Sequence, residues 1–437
     1  MAVGSVAEHD REDRRIRTQR RRILVSGTIG TTIEYFDFLL FGLIAPVVFE
    51  ELFYPKTNAL VATVAVLGTF AVGYLARPLG GIVFGHFGDR IGRKPVMFIT
   101  LIVMGASTTA IGLLPTYAAI GVVAPVLLVL LRFIQGIALG GETVGAVILA
   151  TESAPEGKRG GYAGVIQIGA AAGSVLASLG AGLVAAMPAD DRISWGWRIP
   201  FLLSAVLVLV GVYVRAKIEE SPVFKQAAAQ TPRKLPLIAA LREEPKACIT
   251  IFLCVITETS MLQIFTVYVL VYGAQELHIE NSVMLIGVLI GNVVGIVANP
   301  LFGRISDFVG RRIMMATSLI IGALYVAFVF FPLLATRNNA LVILAIAIPP
   351  AFIQTMLFAT EGSFYAELFR SATRRFSGLG VSRQLGGVIG GFFPLIAASL
   401  LAATGTVWSV VAYYAAISAI SLTAVLTARE THRETLA

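Results

Sequence analysis

The sequence predicts an all-α membrane protein: twelve transmembrane helices in two six-helix bundles, with both termini cytoplasmic. Three observations lead there: an apolar composition organised in helix-length runs, a one-sided distribution of arginine and lysine, and a repeat offset by half the chain. Hydrophobic residues make up 57% of the 437 positions and charged residues only 14%, with a mean hydropathy of +0.82. A soluble domain carries roughly 25% charged residues, so lipid rather than water is the main solvent.

Twelve apolar runs approach or exceed the roughly 20 residues that a spanning helix needs: 24–49, 59–84, 96–115, 119–148, 161–187, 197–215, 247–273, 282–303, 313–333, 339–361, 376–400 and 406–427. Backbone polar groups in lipid must be satisfied within the segment, which selects helices. Strand-like alternation is absent, which disfavours a barrel. The first run is too long for a signal peptide and lacks a small-residue cleavage site.

The formal charge of +8 does not point to nucleic acid, because of where it lies. Seven arginines between Arg11 and Arg22 precede the first run, and further basic clusters follow runs 2, 4, 6, 8, 10 and 12. The opposite loops hold only Lys56, Arg192, Arg198 and Arg337. This is the positive-inside pattern, with anionic lipid headgroups as secondary contacts. The resulting layout is a basic tail (1–22), an N-terminal bundle (23–215), a proline- and charge-rich linker (216–246), a C-terminal bundle (247–427) and a short tail (428–437).

"GHFGDRIGRKPVM" at 85–97 returns as "GRISDFVGRRIMM" at 303–315, with Asp89 and Asp307 218 residues apart. "ESAPEGKR" (152–159) pairs with "ELFRSATR" (367–374), aligning Glu152 with Glu367 and Arg159 with Arg374 at an offset of 215. "QIGAAAG" (167–173) pairs with "QLGGVIG" (384–390) at an offset of 217. Three features in one order at nearly one offset indicate two related halves, the arrangement in which transporters place a site between repeats. In the first loop Gly85, Gly88 and Gly92 permit close approach. Asp89 is suited to a helix N-terminus, and Arg93 to a charge-assisted pair with Glu152. A purely topological basic loop requires neither the aspartate nor the glycines.

Ionisable residues inside the runs are costly and mark function by default. Glu34 and Asp37 share a face of run 1, near the membrane midplane. Arg132, Gln135 and Glu142 share a face of run 4, Glu258 lies in run 7, Glu361 in run 10, and Arg383 and Gln384 in run 11. A fixed guanidinium at Arg132 suits a substrate carboxylate, and Glu34 or Asp37 is the natural proton carrier through desolvation and mutual repulsion. The alternative is a permanent ion pair fastening the two helices. Gln135 and Gln384 also fit interhelical hydrogen bonding. Gly169/Gly173 and Gly386/Gly390 are small-residue pairs for close helix packing. Tyr35, Phe265, Tyr268 and Tyr272 are aromatic candidates for a cavity wall or for core.

Other chemistry finds no support. Four scattered histidines lack ligand spacing, so no metal is expected, and Cys248 and Cys254 do not face each other along one helix. No phosphate-binding glycine loop and no nucleophile cluster are present, so neither a cofactor nor an enzymatic activity is expected.

The charged loop resembles the signature of the major facilitator superfamily, with Gly85, Asp89, Arg90, Gly92 and Arg93 in its key positions. The second copy keeps Gly303, Asp307, Gly310 and Arg311 but has Phe308 in place of Arg90's counterpart, which weakens that copy's expected charge relay. The resemblance implies two rocking bundles, with Asp89 and its partners holding the outward-facing state. "EYFDF", "RFIQGIALGGE", "SWGWRIPF" and "EESPVF" together resemble the metabolite:proton symporter branch. That branch implies import of a small carboxylate, such as shikimate or a dicarboxylate, with protons, by a monomer in the inner (plasma) membrane. The alternatives are a proton-driven exporter on the same fold or a proline/betaine-type importer. Many members carry an aromatic residue where this chain has Thr143. The ten residues after the last run show no heptads, so osmosensing through a coiled-coil tail is not expected.

Overall fold

The computed structural model describes residues 2–55, 59–91, 93–141, 145–216, 241–370 and 372–432. All regular elements among them are helical. The first helix, α1 (Ala2–Ile44), continues through a π-helical turn (Ala45–Phe49) into Glu50–Phe53. Then come α2 (Val61–Phe84), the shorter α3 (Phe98–Leu113), α4 (Val123–Ser153, running across the undescribed 142–144), α5 (Arg159–Ala185) and α6 (Ala189–Val214). The second half comprises α7 (Pro245–Gln275), α8 (Asn281–Val309), α9 (Arg311–Ala335), α10 (Asn339–Leu368), α11 (Gly378–Thr404) and α12 (Trp408–Thr427). Ten of these, all but α1 and α3, are long and apolar enough to cross a membrane.

Burial is inverted relative to a water-soluble protein. Leu209, Val297 and Phe328 are more than two-thirds exposed on the outer surface, while Glu34, Asp37, Arg132, Glu258 and Glu361 are buried. Apolar side chains face outward because their surroundings are lipid tails, and charges collect where the helices shield them.

The sequence repeat is also a packing repeat. Gly169 and Gly173 of α5 lie against the carbonyls of Thr28 and Thr32 of α1. In the other half Gly386 and Gly390 of α11 lie against the carbonyls of Phe252 and Ile256 of α7, where an added Cβ would sit 2.5 and 2.6 Å away. The same small-residue pair therefore joins the first and fifth helices of each half, letting the backbones touch. Between halves, Gly160 and Gly164 of α5 pack on Gly303 and Asn299 of α8.

Several helices carry π-helical turns, including Ala45–Phe49, Ile264–Tyr268 and Pro349–Ile353. Pro46 and the Pro349–Pro350 pair account for the first and third, because each proline removes an N–H from the ladder. The turn in α7 begins directly after Gln263, a residue that reaches into the opposite half.

Candidate functional site

The two halves are fastened at both ends and enclose two adjoining cavities. At the end bearing the Arg-rich loops, Asp307 at the foot of α8 accepts hydrogen bonds from the backbone N–H groups of Gly160 (2.8 Å) and Gly161 (3.0 Å). These are orphan donors of the first turn of α5, where a carboxylate is favoured by the helix dipole. Arg311 holds Asp307 at 2.7 Å and Glu367 at 3.3 Å, and Arg159 reaches Glu367 at 3.6 Å from the other half. Gly160 and Gly303 face each other with no room for a side chain on either.

Arg375 places its Nη1 2.7 Å from the Glu152 carboxylate and links the halves a second time, while Arg93, the expected partner of Glu152, has its side chain outside the described residues. The second loop, expected to be the weaker relay, makes a complete network. Phe308 is 83% exposed and takes no part in it, because Arg311 supplies the guanidinium. Gly92 and the side chains at 85, 89, 90, 93, 142 and 374 lie outside the described residues. The candidate roles of Gly85, Asp89, Arg90, Gly92, Arg93, Glu142 and Arg374 therefore have no structural account.

The segment after α12 belongs to this network, a part that the sequence reading left without a role. Glu430 accepts from the N–H groups of Arg311 (2.9 Å) and Arg312 (3.1 Å), capping α9. Thr431 donates to Glu367 at 2.7 Å, and Arg429 donates to the carbonyls of Glu367 and Leu368. Partial burial disfavours the Glu430 carboxylate, but the N–H donors of Arg311, Arg312 and Thr431 outweigh it and hold its pKa below the usual glutamate value. At the opposite end, Gln275 of α7 donates to Thr63 (2.6 Å) and to Glu50 (3.3 Å), again across the halves.

The first cavity is lined by Glu34, Tyr35, Phe38 and Leu39 of α1 and Tyr74 and Arg77 of α2. Facing them are Val255, Glu258, Thr259 and Leu262 of α7, Phe358 of α10, and Arg383, Gln384 and Gly387 of α11. The second shares Glu34, Tyr35 and Arg383 with the first and adds Thr31, Gln167, Glu361 and Tyr365. Gln263 donates to the Tyr74 hydroxyl at 2.6 Å, and Gln384 to the Gly140 carbonyl at 3.3 Å, so both cross between the halves.

The residues proposed as one acid–arginine constellation are separated by the fold. Arg132 lines neither cavity. Its guanidinium lies over the rings of Phe41 (4.1 Å), Phe38 (4.6 Å) and Phe70 (5.3 Å) and donates to Gln135 Oε1 at 2.6 Å. Gln135 in turn donates to Thr108 and to the Asp37 carbonyl. The Asp37 carboxylate accepts from the Ser204 hydroxyl of α6 and is fully buried inside the first half. Positions three apart on a helix diverge by about 60°, enough to send Glu34 into the cavities and Asp37 toward α6. Tyr35 lines both cavities, whereas Phe265, Tyr268 and Tyr272 pack among other aromatic rings.

In place of Arg132 the structure puts Arg77 at the cavity wall. Gly136 and Gly140 of α4 lie against the carbonyls of Gly73 and Arg77, fixing α2 at this height. The Arg77 guanidinium sits 4.2 Å from the ring centres of both Phe38 and Tyr74. Its buried Nε has no hydrogen-bond partner, and no carboxylate pairs with it among the described residues. An arginine inside an apolar run was a legible signal that the sequence reading passed over. Arg383, by contrast, is neutralised by Glu258 (2.8 Å) and Glu361 (3.1 Å).

Two helical repeats closing on a polar, charge-lined cavity between them define a multi-pass membrane transporter of small molecules. The family comparison is specific: the model described as Major Facilitator Superfamily matches residues 27–391, and the chain belongs to that superfamily, whose members are transporters and not enzymes. It is 38% identical over 403 residues to a shikimate transporter of Escherichia coli strain K12, covering 91% of each chain. It is also 38% identical over 446 residues to the inner membrane metabolite transport protein YhjE of the same strain, covering 100% of both. Among solved structures, the xylose transporter XylE from E. coli in a partially occluded inward-open conformation superposes with a TM-score of 0.71. At 15% identity, over 96% of this chain and all of that one, it bears on the fold alone.

Proposed function

We propose that this protein imports a small organic carboxylate together with protons across the bacterial inner membrane, by alternating access of its two halves. The observation that carries the reading is Arg77, a guanidinium with no carboxylate partner among the described residues, on the wall of the cavity between the halves. Such a group suits a carboxylate through two parallel N–H donors. The neighbouring faces of Phe38 and Tyr74 suit the apolar part of a compact ring acid, and a relative named as a shikimate transporter supports that class. A betaine-type substrate fits less well, since the aromatic faces that would attract its quaternary ammonium already hold Arg77.

In this reading twelve helices span the membrane, both termini are cytoplasmic, and the 216–246 segment links the bundles of one monomer. The Asp307–Arg311–Glu367 network closes the cytoplasmic end, and the Glu50–Thr63–Gln275 contact closes the outer end. Rocking alternately breaks one and preserves the other. Substrate bound between Arg77 and the residues of α7 and α11 draws the halves together in the occluded state.

The test is the pH outside right-side-out vesicles as shikimate, α-ketoglutarate, citrate, proline or betaine is added. Alkalinisation with a carboxylate, abolished in Arg77→Ala, is the expected result. Silence with every carboxylate, combined with outward movement of a labelled acid, would overturn import in favour of export.

A further inference from the structure

We propose that Glu361 is the proton-binding group of this transporter and that Gln167 reports its protonation to the opposite half. The proposal rests on the proton-coupled reading above, and its basis is the geometry around Arg383.

Two carboxylates share one guanidinium. Glu258 has every oxygen satisfied: Arg383 Nη2 lies 2.8 Å from its Oε1, and Oε2 accepts from the Tyr365 hydroxyl at 3.2 Å and from Arg383 Nη1 at 3.5 Å. Glu361 has a share of Arg383 Nη2, 3.1 Å from its Oε1, and the Gln167 amide, 3.0 Å from the same oxygen, with the Glu258 side chain as its remaining neighbour in hydrogen-bond contact. Its Oε2 is buried without a hydrogen-bond partner, and the side chain is 1% exposed at the edge of the second cavity. Arg383 is the single cation of this cluster among the described residues. With both acids ionised the cluster carries a net negative charge in the middle of the bundle, which desolvation opposes. Glu258 holds the fuller set of donors and Glu361 the poorer one, with one buried oxygen unpartnered, so the proton of the pair falls to Glu361.

The other titratable groups facing Glu361 are Glu34 and Tyr35 of α1, Cys254 and Glu258 of α7, and its own helix neighbour Tyr365. Each is an acid, so none supplies a second positive charge.

Gln167 makes the proton consequential for movement. It stands on α5 of the first half and Glu361 on α10 of the second, so their hydrogen bond spans the interface that must open. When the halves part, Glu361 loses the amide and gains access to solvent. Deprotonation then returns a charge that competes with Glu258 for Arg383. Closure over a charged Glu361 is disfavoured, so the occluded state forms with the proton aboard.

The experiment is infrared titration of the purified full-length protein in lipid, following the C=O stretch of buried protonated carboxyls with pH. It is run beside counterflow and pH-gradient-driven uptake of labelled shikimate in proteoliposomes. One titrating carboxyl is expected in the wild type, absent from Glu361→Gln and retained in Glu34→Gln. Its midpoint should fall in Glu258→Gln, where Arg383 is left to Glu361 alone. Glu361→Gln should lose gradient-driven accumulation by a larger factor than shikimate counterflow, and Glu361→Asp should restore the infrared band. A titrating carboxyl that survives Glu361→Gln, or vanishes only in Glu34→Gln, overturns the assignment. Counterflow without gradient-driven uptake in the wild type defeats the proton-coupled reading instead, a separate outcome because the infrared band needs no substrate.

Discussion

Replacing Asp307 with alanine should open the end of the molecule that carries the basic loops. The side chain accepts two N–H groups from the first turn of α5 and pairs with Arg311, all within 3.0 Å. Arg311 keeps Glu367 in the variant, so what is lost across the halves is the pair of backbone hydrogen bonds. Hydrogen bonds to a charged group contribute roughly 1.5–3 kcal/mol each. At the lower figure the two amount to about 3 kcal/mol, and at about 1.4 kcal/mol per tenfold change this shifts the closed-to-open ratio on the order of 100-fold. The assay is pulsed electron spin resonance between nitroxides at Glu156→Cys, in the loop between α4 and α5, and Phe308→Cys on α8. Both sites are exposed. Asp307→Ala should add or enlarge a long-distance component relative to the same labels without it. An unchanged distribution in a monodisperse, thermally stable variant would refute the assignment of Asp307 as a lock between the halves.

Four further outcomes follow from the same geometry. Arg77→Gln should weaken carboxylate uptake at least tenfold, with a fall in melting temperature in detergent smaller than that of Arg132→Gln. Arg132→Gln should cost more stability than uptake, because it strips three aromatic faces of their cation at roughly 0.5–2 kcal/mol each and also loses the bond to Gln135. Gly390→Val should prevent accumulation of folded protein, as should Gly169→Val, since each forces a side chain into a carbonyl of the first helix of its half; a valine variant with wild-type yield and melting temperature would contradict this. Glu430 has a folded pKa held below its ordinary value by the N–H donors of α9. Its stabilising contribution is therefore complete above the ordinary glutamate range and is lost as pH falls through the folded value. Glu430→Gln should flatten that acid-side slope in melting temperature against pH.

Properties that depend on one-dimensional pattern were legible in the sequence. Apolar run length fixes which segments are long enough to span lipid, and the half-chain offset between Asp89 and Asp307 exposes the repeat before any coordinate is known. Gly169/Gly173 and Gly386/Gly390 were readable as packing pairs because a stretch of glycine at four-residue spacing marks one face of a helix. Asp307, Arg311, Arg159 and Glu367 were recognisable as a charged set because their loops recur at the half-chain offset, although not as the contact each makes.

Partners across the interface were not legible, because a guanidinium is equally suited to any carboxylate that the fold brings near. Arg132 and Arg77 are both arginines inside apolar runs. Only the docking of α1, α2 and α4 decides that one is enclosed by Phe38, Phe41 and Phe70 while the other reaches the cavity. Glu34 and Asp37 part company over about 60° of helix rotation, a difference smaller than a helical-face argument resolves. The capping of α9 by Glu430, 119 residues from Arg311 in the chain, leaves no periodic trace at all. Sequence alone determined the solvent, the number of repeats and the residue types available for chemistry. Tertiary structure decided which of those charges meet, since pairing energy depends on distances of a few ångströms between segments that the sequence leaves unconnected.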